Sequence, residues 1–407
     1  MNGARRCTAA GLCLWGAGVQ VGEVFAAAGM GLAAVGLFWT WASGPRRPAE
    51  LRAFWPVWLF VAWAILAPLL AGRAPSSGGL FRVLDWAFVP LGALAFAGLD
   101  PRARRAVVIA CGAALVASCA AAGLQHFGAW PSRETMHPLA ALLPGFERVY
   151  ESASATSTSR FMAGGFLFHR LKFAGVSGVL ALWAVALAVR LRGWERAVAS
   201  GVAAFALVSV LVFPVARAGA LALLVAGATT AALAARRRRA ALALAASLLA
   251  LGGAAVALNP EMRARVAAAT SLSGDEDRVH LRRAGLNALA SHPLVGLGAG
   301  RYHARDYMDA GAPESVKAHP GKAHLQLLSI AIEAGVPGAL LFLLMIAWMA
   351  ARLWPDGAAG LGALLFLMMM GLLHDPLFHA ETSMAFAFAL SAALGQNVRH
   401  GHTSEQQ

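Results

Sequence analysis

The stretch PVARAGALALLVAGATTAALAARRRR, residues 214–239, decides the fold class. Between Arg217 and the run Arg236 to Arg239 lie eighteen residues without a charge. A membrane-spanning helix needs about 20 mostly apolar residues, within a range of roughly 17 to 25, so this segment is long enough to cross a bilayer. Its two ends differ. Short loops rich in Lys and Arg mark the cytoplasmic side, which places the four-arginine end inside and Arg217 at the opposite interface.

Outward from this segment the pattern repeats. Twelve apolar runs lie near 7–22, 24–42, 54–71, 80–98, 106–124, 173–190, 197–213, 218–235, 240–258, 335–351, 358–373 and 382–396. The composition agrees: 59% of the 407 residues are hydrophobic and only 13% charged, about half the charged share of a soluble domain, which excludes a soluble globular protein. The expected fold is an all-α polytopic membrane protein with about 12 transmembrane helices. Its organisation reads as helices 1–5 over 1–124, a first long loop over 125–172, helices 6–9 over 173–258, a large loop over 259–334, helices 10–12 over 335–396 and a tail over 397–407. The first run reads as a retained span, because more membrane follows it at once.

The net charge of +14 taken alone suggests a nucleic-acid binder. Its distribution says otherwise. Half of the 34 Lys and Arg fall in alternate short loops or at the ends, at Arg5 and Arg6, Arg46, Arg47 and Arg52, Arg102, Arg104 and Arg105, Arg190, Arg192 and Arg196, Arg236 to Arg239, Arg352 and Arg399. The excess is therefore a topology signal, and no nucleic-acid partner is expected. Both termini come out cytoplasmic, and both long loops lie on the other side. Cys7, Cys13, Cys111 and Cys119 all sit within predicted spans, so neither loop has a disulfide pair and no metal-type cysteine spacing exists.

Arg217 is informative because it has almost no loop around it. A charge deep in a bilayer costs about 2.5–3.5 kcal/mol on insertion scales, so it faces a cavity, a partner or, by snorkelling, the headgroups. In the large loop, Ser273 and Glu276 have capping-box spacing, and the helix they open ends before Pro293. Arg278 and Arg282, four apart, share one face of it. They either neutralise the neighbouring acids or form a clamp for phosphate, whose oxygens the guanidinium fork matches. Beyond it, Gly296, Gly298 and Gly300 lack the strand and lysine of a phosphate loop, and read as a tight turn returning Arg301 and His303 toward the same region. His324 stands just before a long apolar helix. There it suits deprotonation of a hydroxyl, although a helix-capping histidine has the same look; His319 is a nearby competitor. In HDPLFHAE, His374, Asp375, His379 and Glu381 stand together, as a metal set or as a hydrogen-bond network, with the network the expectation.

Three motifs together resemble the O-antigen ligase family (WaaL) of the O-antigen ligase/polymerase superfamily of membrane glycosyltransferases. They are the helix-start arginine Arg217, Arg278 heading a helix that ends in HPLVGLG (292–298), and His324 nine residues before EAGVPG (333–338). RFMAGGFLFHRLKFAG, 160–175, is a weaker fourth. The chain departs from many relatives in having Leu325, with Gln326 beyond it, where they have Asn. The resemblance implies a GT-C-like helical membrane fold with a large helical periplasmic loop, in the bacterial inner membrane. It implies an undecaprenyl-pyrophosphate-linked glycan as donor, lipid A-core as acceptor, and metal-independent inverting transfer without cofactor, in contact with membrane lipids. His324 would be catalytic, with Arg217, Arg278 and Arg160 on the pyrophosphate and Lys172, Arg282, Arg301, His303 and His319 as further contacts. An O-antigen polymerase or a protein O-oligosaccharyltransferase would share these motifs. A secondary transporter shares the span count, but its polar residues belong near the bilayer midplane.

Overall fold

A computed structural model of the chain describes residues 3–43, 48–127, 163–167, 169–235, 238–258, 263, 276–318, 322–354 and 357–404. Among these there is no strand. In chain order the helices are α1 (Gly3–Gly18), α2 (Glu23–Ala42), α3 (Pro48–Arg52), α4 (Trp55–Leu70), α5 (Ser77–Ala97), α6 (Pro101–His126), α7 (Arg170–Arg190), α8 (Gly193–Val212), α9 (Arg217–Ala234), α10 (Arg238–Leu258), α11 (Glu276–Ser291), α12 (Glu314–Ala318), α13 (Gln326–Leu353), α14 (Ala358–Gly371) and α15 (Ala380–Ser404).

Each of the twelve apolar runs falls on one helix. Seven, α2, α5, α6, α7, α8, α9 and α13, are long and apolar enough to cross a membrane, and α4 and α14 are shorter apolar helices. The protein is a multi-pass helical membrane protein. Two bounds differ from hydropathy. α1 stops at Gly18, four residues before its run ends, because the chain turns at Val19–Val21, where the buried Gln20 side chain accepts a hydrogen bond from the Ser177 hydroxyl at 3.1 Å. α13 starts at Gln326 and runs through a non-helical Gly335, so its first nine residues lie on the loop side of a kink.

Two helices form the centre. α7 is buried without interruption from Phe173 to Ala186, and α15 from Glu381 to Gly395. A helix apolar all round has no polar face to give water, which is why neither shows an amphipathic stripe. Around them the contacts use small residues. In the α1–α2 hairpin a Cβ on Gly11 would collide with the backbone of Ala33, and one on Gly29 with that of Trp15. Such close approach drives helix association in lipid, where burial of apolar surface gives no driving force.

At one end of the bundle the loop 292–300 docks into the α13 kink. Leu297 and Gly298 donate to the carbonyls of Ile332 and Glu333, at 2.8 and 2.9 Å, and Val336 donates to Pro293 at 2.8 Å. Gly335, at φ 74°, faces the Leu294 carbonyl at a distance no side chain fits, and Gly296, at φ 71°, lies equally close to Glu333. The two glycine motifs read separately in the sequence are thus one interlocked unit. Glu333 Oε1 reinforces it by accepting from Gly300 N at 2.9 Å and pairing with Arg82 at 3.1 Å. A hydrogen bond to a charged group contributes about 1.5–3 kcal/mol.

Candidate active site

The starts of α7, α9, α13 and α15 come together at this same end. His169, before α7, and His379, before α15, have ring centroids 4.9 Å apart. His379 and His324, the latter two residues before α13, each lie 5.7 Å from His374. α9 joins them because Gly219 packs against Ala174 of α7, which brings Arg217, two residues earlier, to the level of the α7 start. Helix N-termini carry unpaired N–H groups and positive partial charge, so their convergence favours an anion.

His324 itself is held in an uncommon conformation. Its φ is 54°, in the left-handed region. Its backbone N–H donates to Asp375 Oδ2 at 2.9 Å, and the other carboxylate oxygen accepts from Ser329 at 2.9 Å. Gln326 Oε1 accepts from Leu377 N at 2.9 Å, so the residue just beyond the Leu325 departure fixes the turn that carries Asp375. Among the described residues only one other non-glycine has positive φ, Val215 at 49°, two residues before Arg217. Backbone strain of this kind costs on the order of 1–3 kcal/mol and clusters at functional sites.

The cations come from several elements. On α11, Gly285 packs on Ala323 and Leu328, flanking His324, and Arg278 and Arg282 lie seven and three residues earlier on that same face. The shared face expected of the two arginines therefore covers the His324 segment. Burial, together with nearby His324, His169, Arg278 and Arg170, holds His374 down at about 3. Burial, then Lys172 and Arg170, holds His169 at about 4, and His379 is likewise well below its ordinary range, chiefly through burial. These histidines are neutral at pH 7. Asp375 is pushed up to about 6 by burial, against the lowering effect of its two hydrogen bonds.

Other expected contacts sit differently. Lys172 pairs with Glu381 at 2.7 Å, joining the starts of α7 and α15. The glycine turn forms, with φ of 71°, 91° and 75° at Gly296, Gly298 and Gly300, but Arg301 and His303 are exposed, and Arg301 donates to the Ala74 carbonyl at 2.8 Å. Tyr302 between them turns inward instead, 3% exposed. Arg160, His319 and the Ser273 cap lie outside the described residues. Within HDPLFHAE the two carboxylates are hydrogen-bonded, Asp375 to His324 N and Ser329 and Glu381 to Lys172, and among the described residues no group of three His, Cys, Asp or Glu is placed to hold a metal. A small cavity of about 50 Å³, lined by Arg82, Trp86, Gln326, Ile330, Glu333 and Leu377, adjoins the network.

The described residues thus make a multi-pass helical membrane protein with a cationic, histidine-bearing cluster at one end of its bundle. The family comparison narrows that class. Residues 202–343 match the O-antigen ligase family (Wzy_C), a stretch that runs from within α8 to within α13 and holds Arg217, Arg278 and His324. Over that stretch the chain is similar to the O-antigen ligase family, in agreement with the resemblance that its motifs carry. A search of curated proteins returns no match.

Proposed function

We propose that the protein is an O-antigen ligase that transfers a polysaccharide from undecaprenyl pyrophosphate to lipid A-core at the periplasmic face of a bacterial inner membrane. The observation that carries this reading is the fixing of His324 by Asp375 in a left-handed conformation beneath the arginine face of α11. A base aimed at one point, with cations around it, suits attack by a sugar hydroxyl on a pyrophosphate-linked anomeric carbon.

In this reading His324 accepts the proton of the acceptor hydroxyl as its oxygen bonds to the anomeric carbon. The bond from that carbon to the pyrophosphate breaks, and the lipid pyrophosphate leaves with the electron pair. Attack from the face opposite the leaving group inverts the centre. Arg217 and Arg278, with Arg160, hold the pyrophosphate and offset its growing charge, the work a divalent metal does in other transferases. Neutral His374 and His379 supply donors without adding another cation to a crowded site. Arg282 lies beside Arg278 on the covering face, whereas Lys172 acts through Glu381, and Arg301, His303 and His319 are further substrate contacts.

The test is complementation of a ligase-deletion strain, with lipopolysaccharide separated on a gel. Wild-type chain restores the polymer-bearing ladder; His324→Ala and Arg217→Ala, accumulated to wild-type levels, do not. A full ladder from both variants overturns these roles. Loss of the protein that leaves single repeats instead of long chains on the lipid carrier identifies a polymerase.

A further inference from the structure

Two lysines stand close to the site, and their surroundings differ. Lys172 has a carboxylate at 2.7 Å. Lys322, half-buried and two residues before His324, has no carboxylate within ion-pair distance among the described residues. Its Nζ donates to the Tyr302 carbonyl at 3.3 Å and lies 4.4 Å from the Phe378 ring centroid and 5.8 Å from that of Tyr302. Arg82 covers Phe378 as well, at 5.0 Å, but its charge is matched by Glu333 at 3.1 Å. Phe378 remains 39% exposed, and the buried Tyr302 hydroxyl has no hydrogen-bond partner among the described residues. Aromatic faces and a carbonyl stabilise an ammonium only in part. Glu333 and Asp375 act on it only from beyond ion-pair distance and are engaged by Arg82 and Gly300 N and by His324 N and Ser329, so the ammonium can still take an anion.

This place is distinct from the pyrophosphate side. His374 and Asp375 are adjacent but meet different neighbours: His374 feels Arg278 and Arg170, whereas Asp375 binds His324 N and Ser329 and feels Lys322 and Glu333. Two residues of extended chain reach at most about 7 Å, roughly one sugar ring, from Lys322 to His324. We propose that Lys322, beside the part-exposed Phe378 ring, binds a phosphate or carboxylate group of the acceptor saccharide and so presents its hydroxyl to His324. The proposal rests on the transferase reading above. It gives the site two anion positions, one on each flank of the base, and makes the charge of the acceptor a determinant of its selection.

The experiment uses the full chain purified into nanodiscs, a lipid-linked glycan donor, and lipid A-core acceptor either intact or enzymatically dephosphorylated. Lys322→Met is expected to raise KM for the intact acceptor about tenfold, with donor KM and kcat within about twofold of wild type, the signature of lost ground-state binding. The dephosphorylated acceptor should respond to the substitution little, and Lys322→Arg should recover most of the affinity. A change in donor KM, or equal effects on both acceptors, overturns the proposal. So does an effect that follows the replacement of zwitterionic by anionic phospholipid in the nanodisc instead of acceptor phosphorylation, because the group bound is then a lipid headgroup. If wild-type chain transfers glycan to neither acceptor, the transferase reading itself fails; if wild type transfers and Lys322→Met matches it in acceptor KM, only the Lys322 assignment fails.

Discussion

The carboxylate of Asp375 holds the backbone of His324, not its ring. Its Oδ2 accepts the His324 N–H at 2.9 Å across 51 residues of chain, at a residue with φ 54°. Asp375 is therefore a positioning residue for the reading in which His324 is the base. Removing it lets the histidine backbone relax toward the common regions of φ and ψ and moves the ring. Misplacement by about 1 Å lowers rates by about 10²-fold, so Asp375→Ala should cut kcat by that order while donor KM stays within about twofold. Asp375→Asn keeps one acceptor oxygen and should retain more activity. Wild-type kcat in Asp375→Ala would contradict this role.

The interlocked glycines make a folding prediction. Gly335 needs a positive φ and lies against the Leu294 carbonyl, so Gly335→Ala should greatly reduce folded protein in the membrane, measured by fluorescence-detected size exclusion. Gly201, helical with open space around it, is the control. Gly201→Ala should be neutral or stabilise by about 0.5–1 kcal/mol. Equal behaviour of the two variants would mean that the docking of the 292–300 loop on α13 contributes nothing.

The buried pair between α7 and α15 predicts non-additivity. Lys172 and Glu381 side chains are 18% and 8% exposed at 2.7 Å, so removing one partner leaves the other charge buried. Lys172→Met alone should cost about 3 kcal/mol, and Lys172→Met with Glu381→Gln should cost less than either single change. Thermal unfolding of the three variants in one detergent measures this, and strictly additive losses would contradict it.

The histidine cluster predicts a pH dependence. His374 and His169 are lowered to about 3 and about 4, mainly by burial, so between those values and 6.5 the unfolded chain binds protons that the folded one does not. Stability from these two groups is full above 6.5 and is lost as pH falls toward 4. Asp375, raised to about 6, acts in the opposite sense: the folded chain binds its proton first, so its contribution is present below about 3.8 and lost as pH rises through 6. Two histidines outweigh one aspartate. The melting temperature should drop by a few degrees between pH 7 and pH 5, and His374→Asn should flatten the slope; an unchanged slope would contradict the neutral state of His374.

Much of this was legible in the sequence because it rests on local periodicity. Apolar length located the spans, spacing of four put Arg278 and Arg282 on one face, and three alternate glycines gave the turn. The misses are long-range. Nothing near His324 signals that Asp375 holds it, and Arg82 meets Glu333 across 251 residues. Arg301 and His303 look like the functional residues of their turn, yet the bond from Arg301 to Ala74 turns the loop so that Tyr302 faces inward. Hydropathy starts the tenth run at 335 because Gln326, Ser329 and Glu333 interrupt the apolar pattern before it, but it cannot show that a single helix continues through a kink there.

The most direct test of the central claim is the transfer rate from purified lipid-linked glycan to lipid A-core, with chelator present, for the wild-type chain and His324→Ala. Wild type should give polymer-bearing product, and the variant should lose at least about 10²-fold in kcat with donor binding retained. Product formed by His324→Ala at the wild-type rate would contradict it.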